Sequence, residues 1–324
     1  VTDSVGVCTA TSGPGATNLI TGIATAFMDS IPIVALTGQV ATPLIGKDAF
    51  QEVDIIGATM PFTKYSHLIQ SGEEIPRIIN EAFHIAKTGR PGPVLIDFPM
   101  DLLKKTFDYP DEDEEISLRG YKLTGKPNES QISKAADAIA SSAQPVIIAG
   151  GGVVISNAVD EFRKFADSTG IPVVSTMMGI GVMPCDSKQY LGMIGSHGAK
   201  RANLTLNRAD TVIIIGSRLG DRTVAHAQGF QSNKTIIHID IDPAEIGKNL
   251  IPEIPIVGDV KEVLSILTPM CADYKIDKAW GDEFTSLRNE FPPKYNTEDS
   301  GFVDPKYFLV NLAKKTNSDI YLST

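Results

Sequence analysis

Cysteine is scarce. Only Cys8, Cys185 and Cys271 occur among 324 residues, with no CxxC pair and no metal-ligand spacing. So few thiols, and an odd number of them, exclude a disulfide scaffold and give no metal-binding pattern. They point to reduced cysteines in a cytoplasmic protein. Cations are in deficit: 29 Lys and Arg against 39 Asp and Glu, a formal charge of −10. Nucleic-acid binding is driven by clustered Lys and Arg, so that class of partner is excluded. No apolar run approaches the roughly 20 residues needed to span a bilayer. What remains, with 42% hydrophobic and 21% charged residues, is ordinary globular composition. The length suits two domains.

The ends read as cuts in a longer polypeptide. Val1 is not an initiator Met, and an apolar strand begins within a few residues. Ile320–Thr324 reads as a strand just starting. Domain ends usually fall in polar surface segments. A targeting peptide therefore cannot be judged.

Residues 1–106 alternate strand and helix. Val5–Thr9, Pro32–Thr37 and Pro93–Phe98 are apolar strand candidates. Ala16–Met28 reads as a helix entered through Gly-Pro-Gly, and Ile75, Ile78, Ile79, Ala82, Phe83 and Ala86 recur at helical spacing. Residues 107–126 carry the acidic run Asp108–Glu115 and read as a solvated linker. Residues 127–270 alternate again. A helix around Ile132–Ile139 follows Asn128, and strands are expected at Pro145–Ala149, Ile171–Ser175, Thr211–Ile215 and Thr235–Ile239, with Pro255–Val257 as a further one. Such alternation with nearly unbroken apolar strands means parallel sheets with helices on both faces, an α/β protein. Residues 271–302 show few strong elements and read as a second linker. Val303–Thr324 reads as the first helix and strand of a further domain.

The segment Thr11–Glu52, TSGPGATNLITGIATAFMDSIPIVALTGQVATPLIGKDAFQE, packs a Gly-Pro-Gly turn, a small-residue helix, a strand and a second Gly-containing loop together. Such units present backbone N–H groups to an anionic or polar ligand. In the second region Gly150-Gly-Gly152, Thr176-Met-Met-Gly179, Gly195-Ser-His-Gly198, Gly216-Ser-Arg-Leu-Gly-Asp-Arg222, His238-Ile-Asp-Ile-Asp242 and Gly258-Asp-Val260 all lie beside strands or helix starts. Open α/β sheets bind ligands at the carboxyl ends of their strands. Taken alone, Gly150–Gly152 is an incomplete GxGxxG and fits a tight turn as well as a phosphate cradle.

The wording SGPGATN, MDS-IP, TGQV and DAFQE, continued by the Gly216–Arg222 segment, resembles the large catalytic subunits of acetolactate synthase (acetohydroxyacid synthase), in the thiamine-diphosphate enzyme family. The resemblance implies a partial thiamine-pyrimidine-binding domain (1–106), a six-stranded FAD-binding central domain (127–270) and the start of a diphosphate-binding domain (303–324). It implies thiamine diphosphate, Mg²⁺ and FAD as cofactors. The activity implied is decarboxylation of pyruvate and ligation of the hydroxyethyl unit to a second 2-oxo acid, in branched-chain amino-acid biosynthesis. The implied partners are 2-oxo acid substrates, further copies in a homo-oligomer and a regulatory small subunit.

Residue by residue, the resemblance assigns Arg222, Phe50 and Gln51 to the substrate, and Ser30 and Gln51 to the thiamine site. It assigns Arg90, Gly151, Thr176, Met177, Met178, Gly179, Ile194, Gly195, Ser196, His197, Gly216, Arg218, Asp221, Asp240, Ile241, Asp259 and Val260 to FAD. Blander roles compete: an Asp221 ion pair for Arg222, core packing for Phe50, a helix cap for Asp240, a structural role for His197. The family's proton-relay Glu lies upstream of SGPGATN and its GDG…N metal motif downstream of Thr324. No catalytic or metal residue is therefore assigned here, and the chain by itself is expected to be inactive. Met100 replaces the Lys of the family's PKD triplet, which puts anionic-inhibitor binding there in doubt, and Ser196 a common Met. Rival readings are a pyruvate oxidase or glyoxylate carboligase type of enzyme, or a non-catalytic nucleotide-binding module.

Overall fold

The computed structural model describes residues 4–107, 116, 118–123, 125–224, 227–295 and 301–316. The chain divides into two compact units, Val1–Gly125 and Lys126–Thr324. The acidic run Asp108–Glu115 lies outside the described residues, as does the strand expected at 320–324.

The first unit runs β1 (Gly6–Ala10), α1 (Pro14–Asn18), α2 (Ile20–Asp29), β2 (Ile33–Gln39), α3 (Ile55–Thr59), β3 (Tyr65–Leu68), α4 (Ile75–Lys87), β4 (Val94–Pro99) and α5 (Met100–Leu103). Its four strands are all parallel, in the order β1-β2-β4-β3. Alternate strand residues feed opposite faces. Val34, Val94, Ile96 and Phe98 pack with Ile78, Ala82 and Ile85 of α4. Ala35 and Leu95 pack with Ala16, Ile23 and Ile55 on the other side. The helix expected from Ala16 starts earlier, because Gly13 takes φ +62 and Pro14 opens the first turn, as proline can. It is interrupted at Leu19. Leu118 and Tyr121, within the expected linker, pack onto this unit, and the Tyr121 hydroxyl lies 2.8 Å from Thr88 Oγ1.

The second unit runs α6 (Glu129–Ser141), β5 (Pro145–Ala149), α7 (Gly152–Ile155), α8 (Val159–Thr169), β6 (Val173–Ser175), β7 (Tyr190–Met193), α9 (Lys200–Arg208), β8 (Thr211–Ile215), α10 (Ala227–Gln231), β9 (Thr235–Asp240), β10 (Ile254–Val257), α11 (Val260–Met270), α12 (Lys278–Glu290) and α13 (Pro305–Lys315). Six parallel strands stand in the order β10-β9-β8-β5-β6-β7. Helices α6, α8 and α11 cover one face against Ile147, Val173, Ile213 and Ile237. Helices α9 and α12 cover the other against Val146, Ile148, Val174 and Val212. Asn128 caps α6, accepting from Ser130 and Gln131 N–H.

Further elements differ from the sequence reading, the unexpected short strand β3 among them. The sixth strand is β7, which the pattern does not announce: it is four residues long and contains Gly192 at φ 104. Residues 278–290, expected in a linker, form α12. Asp277 caps it, and Trp280, Phe284 and Leu287 turn one stripe into the sheet, with Trp280 Nε1 donating to Pro145 O at 3.0 Å. Among the described residues no helix is long and apolar enough to cross a membrane.

Candidate functional site

The chain runs β5→β6→β7 to one side of the second sheet, then returns to β8 beside β5 and continues outward through β9 and β10. The connections therefore diverge between β5 and β8. Ligands bind in doubly wound sheets at such a switch point, outside the strand carboxyl ends. Register brings the two exits level, Ala149 opposite Ile215. Gly150 N donates to Ile215 O and Gly152 N to Gly216 O, both at 2.9 Å.

These turns meet backbone to backbone. A Cβ on Gly150 would lie 2.0 Å from Gly216 O, and one on Gly216, at φ +61, 2.6 Å from Gly152 Cα. The 3-10 turn Met177–Gly179 follows β6 under the same constraint: a Cβ on Gly179 would sit 2.1 Å from Ala149 O. Glycine is needed at each of these positions, because any side chain would force the strand ends apart.

The assigned FAD residues of this unit gather along these strand ends. Met177 is 77% exposed and Met178 is also exposed, an apolar surface in a setting otherwise of polar backbone. Gly151 lies against Met178. Ile194 follows β7 and is buried, while Ser196 and His197 are exposed, so His197 is not a buried structural histidine. Arg218 is half-buried, and among the described residues its guanidinium has no hydrogen bond or ion pair. Asn249 Nδ2 instead holds its carbonyl, at 2.7 Å. Among the described residues the side chain is thus uncommitted.

Asp240 is buried at the end of β9. Its Oδ1 accepts from Asp242 N at 2.9 Å, an Asx turn leading into Ile241, so it caps no described helix. Asp259 is the residue that caps a helix, accepting from Lys261 and Glu262 N–H at the start of α11, with Val260 as the first helical residue. His238 beside them is buried, its Nε2 3.0 Å from Ser217 O, and burial pushes its pKa down. Arg222 and Asp221 are 87% and 84% exposed and 3.9 Å apart. So exposed a pair contributes little, and the Arg222 fork is open to another carboxylate.

In the first unit Phe50 is 88% exposed, which rules out core packing. Gln51 takes φ +61 and presses on Gly13, where a Cβ would lie 2.8 Å from Gln51 O. Glu52 folds the loop, accepting from Gly46 N and from Ala49 N. Those N–H groups hold its carboxyl below the usual range. Ser30 takes φ +57 at the end of α2, and its Oγ accepts from Arg90 Nε at 2.9 Å. Met100 opens α5 and is exposed.

One cluster was missed from sequence. Asp97 on β4 is 1% exposed; Thr37 Oγ1 donates to it at 2.7 Å and Gln39 Nε2 at 2.9 Å. Gln39 Nε2 also donates to Val53 O at 2.8 Å, so the buried carboxyl anchors the loop carrying Phe50 and Gln51. The available signal was Asp97 inside an otherwise apolar strand, where an acid needs partners.

Comparison with known proteins gives concordant matches. Residues 132–267 match the thiamine pyrophosphate enzyme central domain, and residues 1–58 the thiamine pyrophosphate enzyme N-terminal TPP binding domain. The chain is 46% identical over 326 residues to an acetolactate synthase large subunit of Mycobacterium tuberculosis, covering 98% of this chain and 52% of that protein. It is 47% identical to a probable acetolactate synthase large subunit of Methanocaldococcus jannaschii, covering 96% and 53%. It is 43% identical to one of Porphyra purpurea, covering 100% and 55%. The chain thus spans about half the length of the curated relatives it matches.

The Asp97 cluster yields a prediction. Burial pushes the Asp97 carboxyl up, partly offset by the donors Thr37 and Gln39. Its contribution to stability is full below the unfolded-state pKa and is lost as pH rises through the folded one. Gln39→Leu removes a donor to the anion and strands Val53 O. It is expected to cost about 1–3 kcal/mol, with the cost growing as pH rises through the folded Asp97 pKa. Denaturant unfolding at pH 4 and pH 7 checks this; a cost independent of pH would show that Asp97 does not titrate in the fold between them.

Proposed function

The chain belongs to the thiamine pyrophosphate enzymes and is a homologue of acetolactate synthase large subunits, and from that premise we propose that the full-length protein joins two 2-oxo acids with loss of carbon dioxide. The observation that carries the reading is the switch-point cradle of the second unit. Backbone-packed glycines, exposed Met177 and Met178, and uncommitted Arg218 converge on one row of strand ends. An extended dinucleotide with a flat ring at one end and a pyrophosphate in its middle fits that donor set, and FAD is the cofactor proposed for it.

Thiamine diphosphate, held with Mg²⁺ in the full-length enzyme, supplies the electron sink for decarboxylation. The residues of this chain bind and orient. Arg218 neutralises the flavin pyrophosphate in this reading. Met177 and Met178 give an apolar bed for the ring. Arg90, Asp221 and Asp259 complete the proposed flavin contacts. Arg222 holds the carboxylate of the second 2-oxo acid, because its planar fork suits a carboxylate and among the described residues only the exposed Asp221 competes for it. Phe50 and Gln51 line the substrate side, and Ser30 and Gln51 orient the thiamine. The proposed setting is a cytoplasmic homo-oligomer with a regulatory small subunit, in branched-chain amino-acid biosynthesis.

Two outcomes follow. Titrating the chain with FAD should quench flavin fluorescence to saturation, and Arg218→Ala should weaken binding about tenfold, the loss of one charged hydrogen-bonded contact. Equal affinity would remove Arg218 from the pyrophosphate. In the full-length enzyme, Arg222→Ala should cut product at least about tenfold, since breaking a bonded charge pair costs roughly 2–5 kcal/mol. Carbon dioxide release from the first pyruvate should fall less. Parallel losses in both products would make Arg222 a structural residue.

A further inference from the structure

We propose that Asn203, on α9, is a positioning residue that locks the turn at Gly195–Ser196 to the segment bearing Arg222, so that flavin binding and substrate-arginine placement are mechanically coupled. The inference rests on the flavin reading above for its function, but not for its geometry.

One carboxamide closes a ring on one glycine. Gly195 N donates to Asn203 Oδ1 and Asn203 Nδ2 donates to Gly195 O, each at 2.9 Å. Asn203 is itself fixed one turn into α9, its N–H bonded to Ala199 O at 3.1 Å. The start of that helix is tied to β7 by Ala199 N to Met193 O at 2.7 Å. Gly195 is thereby held at φ +103, a conformation that glycine alone adopts at low cost.

The opposite side of the same turn rests on the arginine segment. Ser196 N donates to Arg222 O at 3.1 Å, and a Cβ on Gly195 would lie 2.2 Å from Arg222 O. Arg222 itself sits in a tight turn closed by Thr223 and Val224 N–H onto Gly220 O. The backbone of Ile194–His197 therefore has α9 on one side and Arg222 on the other. A ligand that orders the 194–197 turn also orders Arg222. A flavin in a reaction with no net redox change then acts mechanically, by fixing the backbone from which the substrate-binding guanidinium projects. Asn203 is exposed, so water competes for its amide, and the ring is the weak link of the coupling.

The test compares the chain with Asn203→Asp, an isosteric change that keeps the acceptor for Gly195 N–H and sets a carboxylate oxygen against Gly195 O. Asn207→Asp places the same charge one turn further along α9, also exposed, and is the control. Amide hydrogen exchange is followed in peptides covering 193–198 and 219–224, and FAD affinity by fluorescence titration. In Asn203→Asp both peptides should exchange about fivefold or more faster, and FAD should bind about 2–10-fold more weakly, the range for one hydrogen bond. Asn207→Asp should match wild type in both readouts. Unchanged exchange at 219–224 overturns the coupling, even if 193–198 loosens. Wild-type FAD affinity in Asn203→Asp overturns its link to the cofactor. If the unmodified chain binds no FAD, the flavin reading fails, while the exchange comparison still decides the clamp. Should Asn203→Asp not fold, Asn203→Gln, one methylene too long to close the ring, carries the same comparison.

Discussion

The contact on which the second unit depends is between two backbones. The turn leaving β5 at Gly150–Gly152 lies against the turn leaving β8 at Gly216 with no side chain between them. Parallel strands in register deliver both turns to the same level, and the sheet order sends them apart from there. Ligands bind doubly wound sheets where strand connections diverge in this way. Larger residues at these positions would push the two strand ends away from each other and disturb the β5–β8 pairing beneath. The sheet can therefore be apolar and buried on both faces, while its carboxyl edge stays narrow, polar and rich in backbone groups.

The first unit solves a similar problem with different residues. Gly13, at positive φ, takes the press of Gln51, and Gln39 ties that loop down to a buried carboxyl on β4. In both units side chains proposed to meet a ligand stand clear of the core: Phe50 in one, Met177 and Arg222 in the other. Such exposed groups contribute little to stability by packing, so their placement is free to be set by a ligand. This is why those residues, and not the many buried ones, carry the functional reading.

Much of this was legible in the sequence. Long apolar runs located the central strands nearly residue for residue; Pro145–Ala149 and Thr211–Ile215 fall where the pattern puts them. Short edge elements did not announce themselves. Tyr65–Leu68 and Tyr190–Met193 are four residues each and mix polar residues or glycine into the run, so no period survives. Helix α12 had a readable stripe at Trp280, Phe284 and Leu287, obscured by the glycine and charges around it. The glycines of the site were visible as glycines, but which backbone each one meets depends on strand order, which no local pattern encodes. The Asn203 ring was invisible for the same reason, and of the Asp97 cluster only the acid within an apolar strand could be read. Each joins positions that only the tertiary fold brings together.

The central claim is that the backbone contact at the switch point, and not the surrounding side chains alone, forms the cofactor cradle. The most direct measurement is FAD affinity of Gly216→Ala beside Gly220→Ala, in chains shown to be folded by the buried emission of Trp280. A Cβ at residue 216 meets Gly152 at positive φ, whereas one at residue 220 enters open space. Loss of FAD binding by more than about tenfold in Gly216→Ala, with wild-type affinity in Gly220→Ala, is the expected result. Unchanged affinity in a folded Gly216→Ala chain would contradict it.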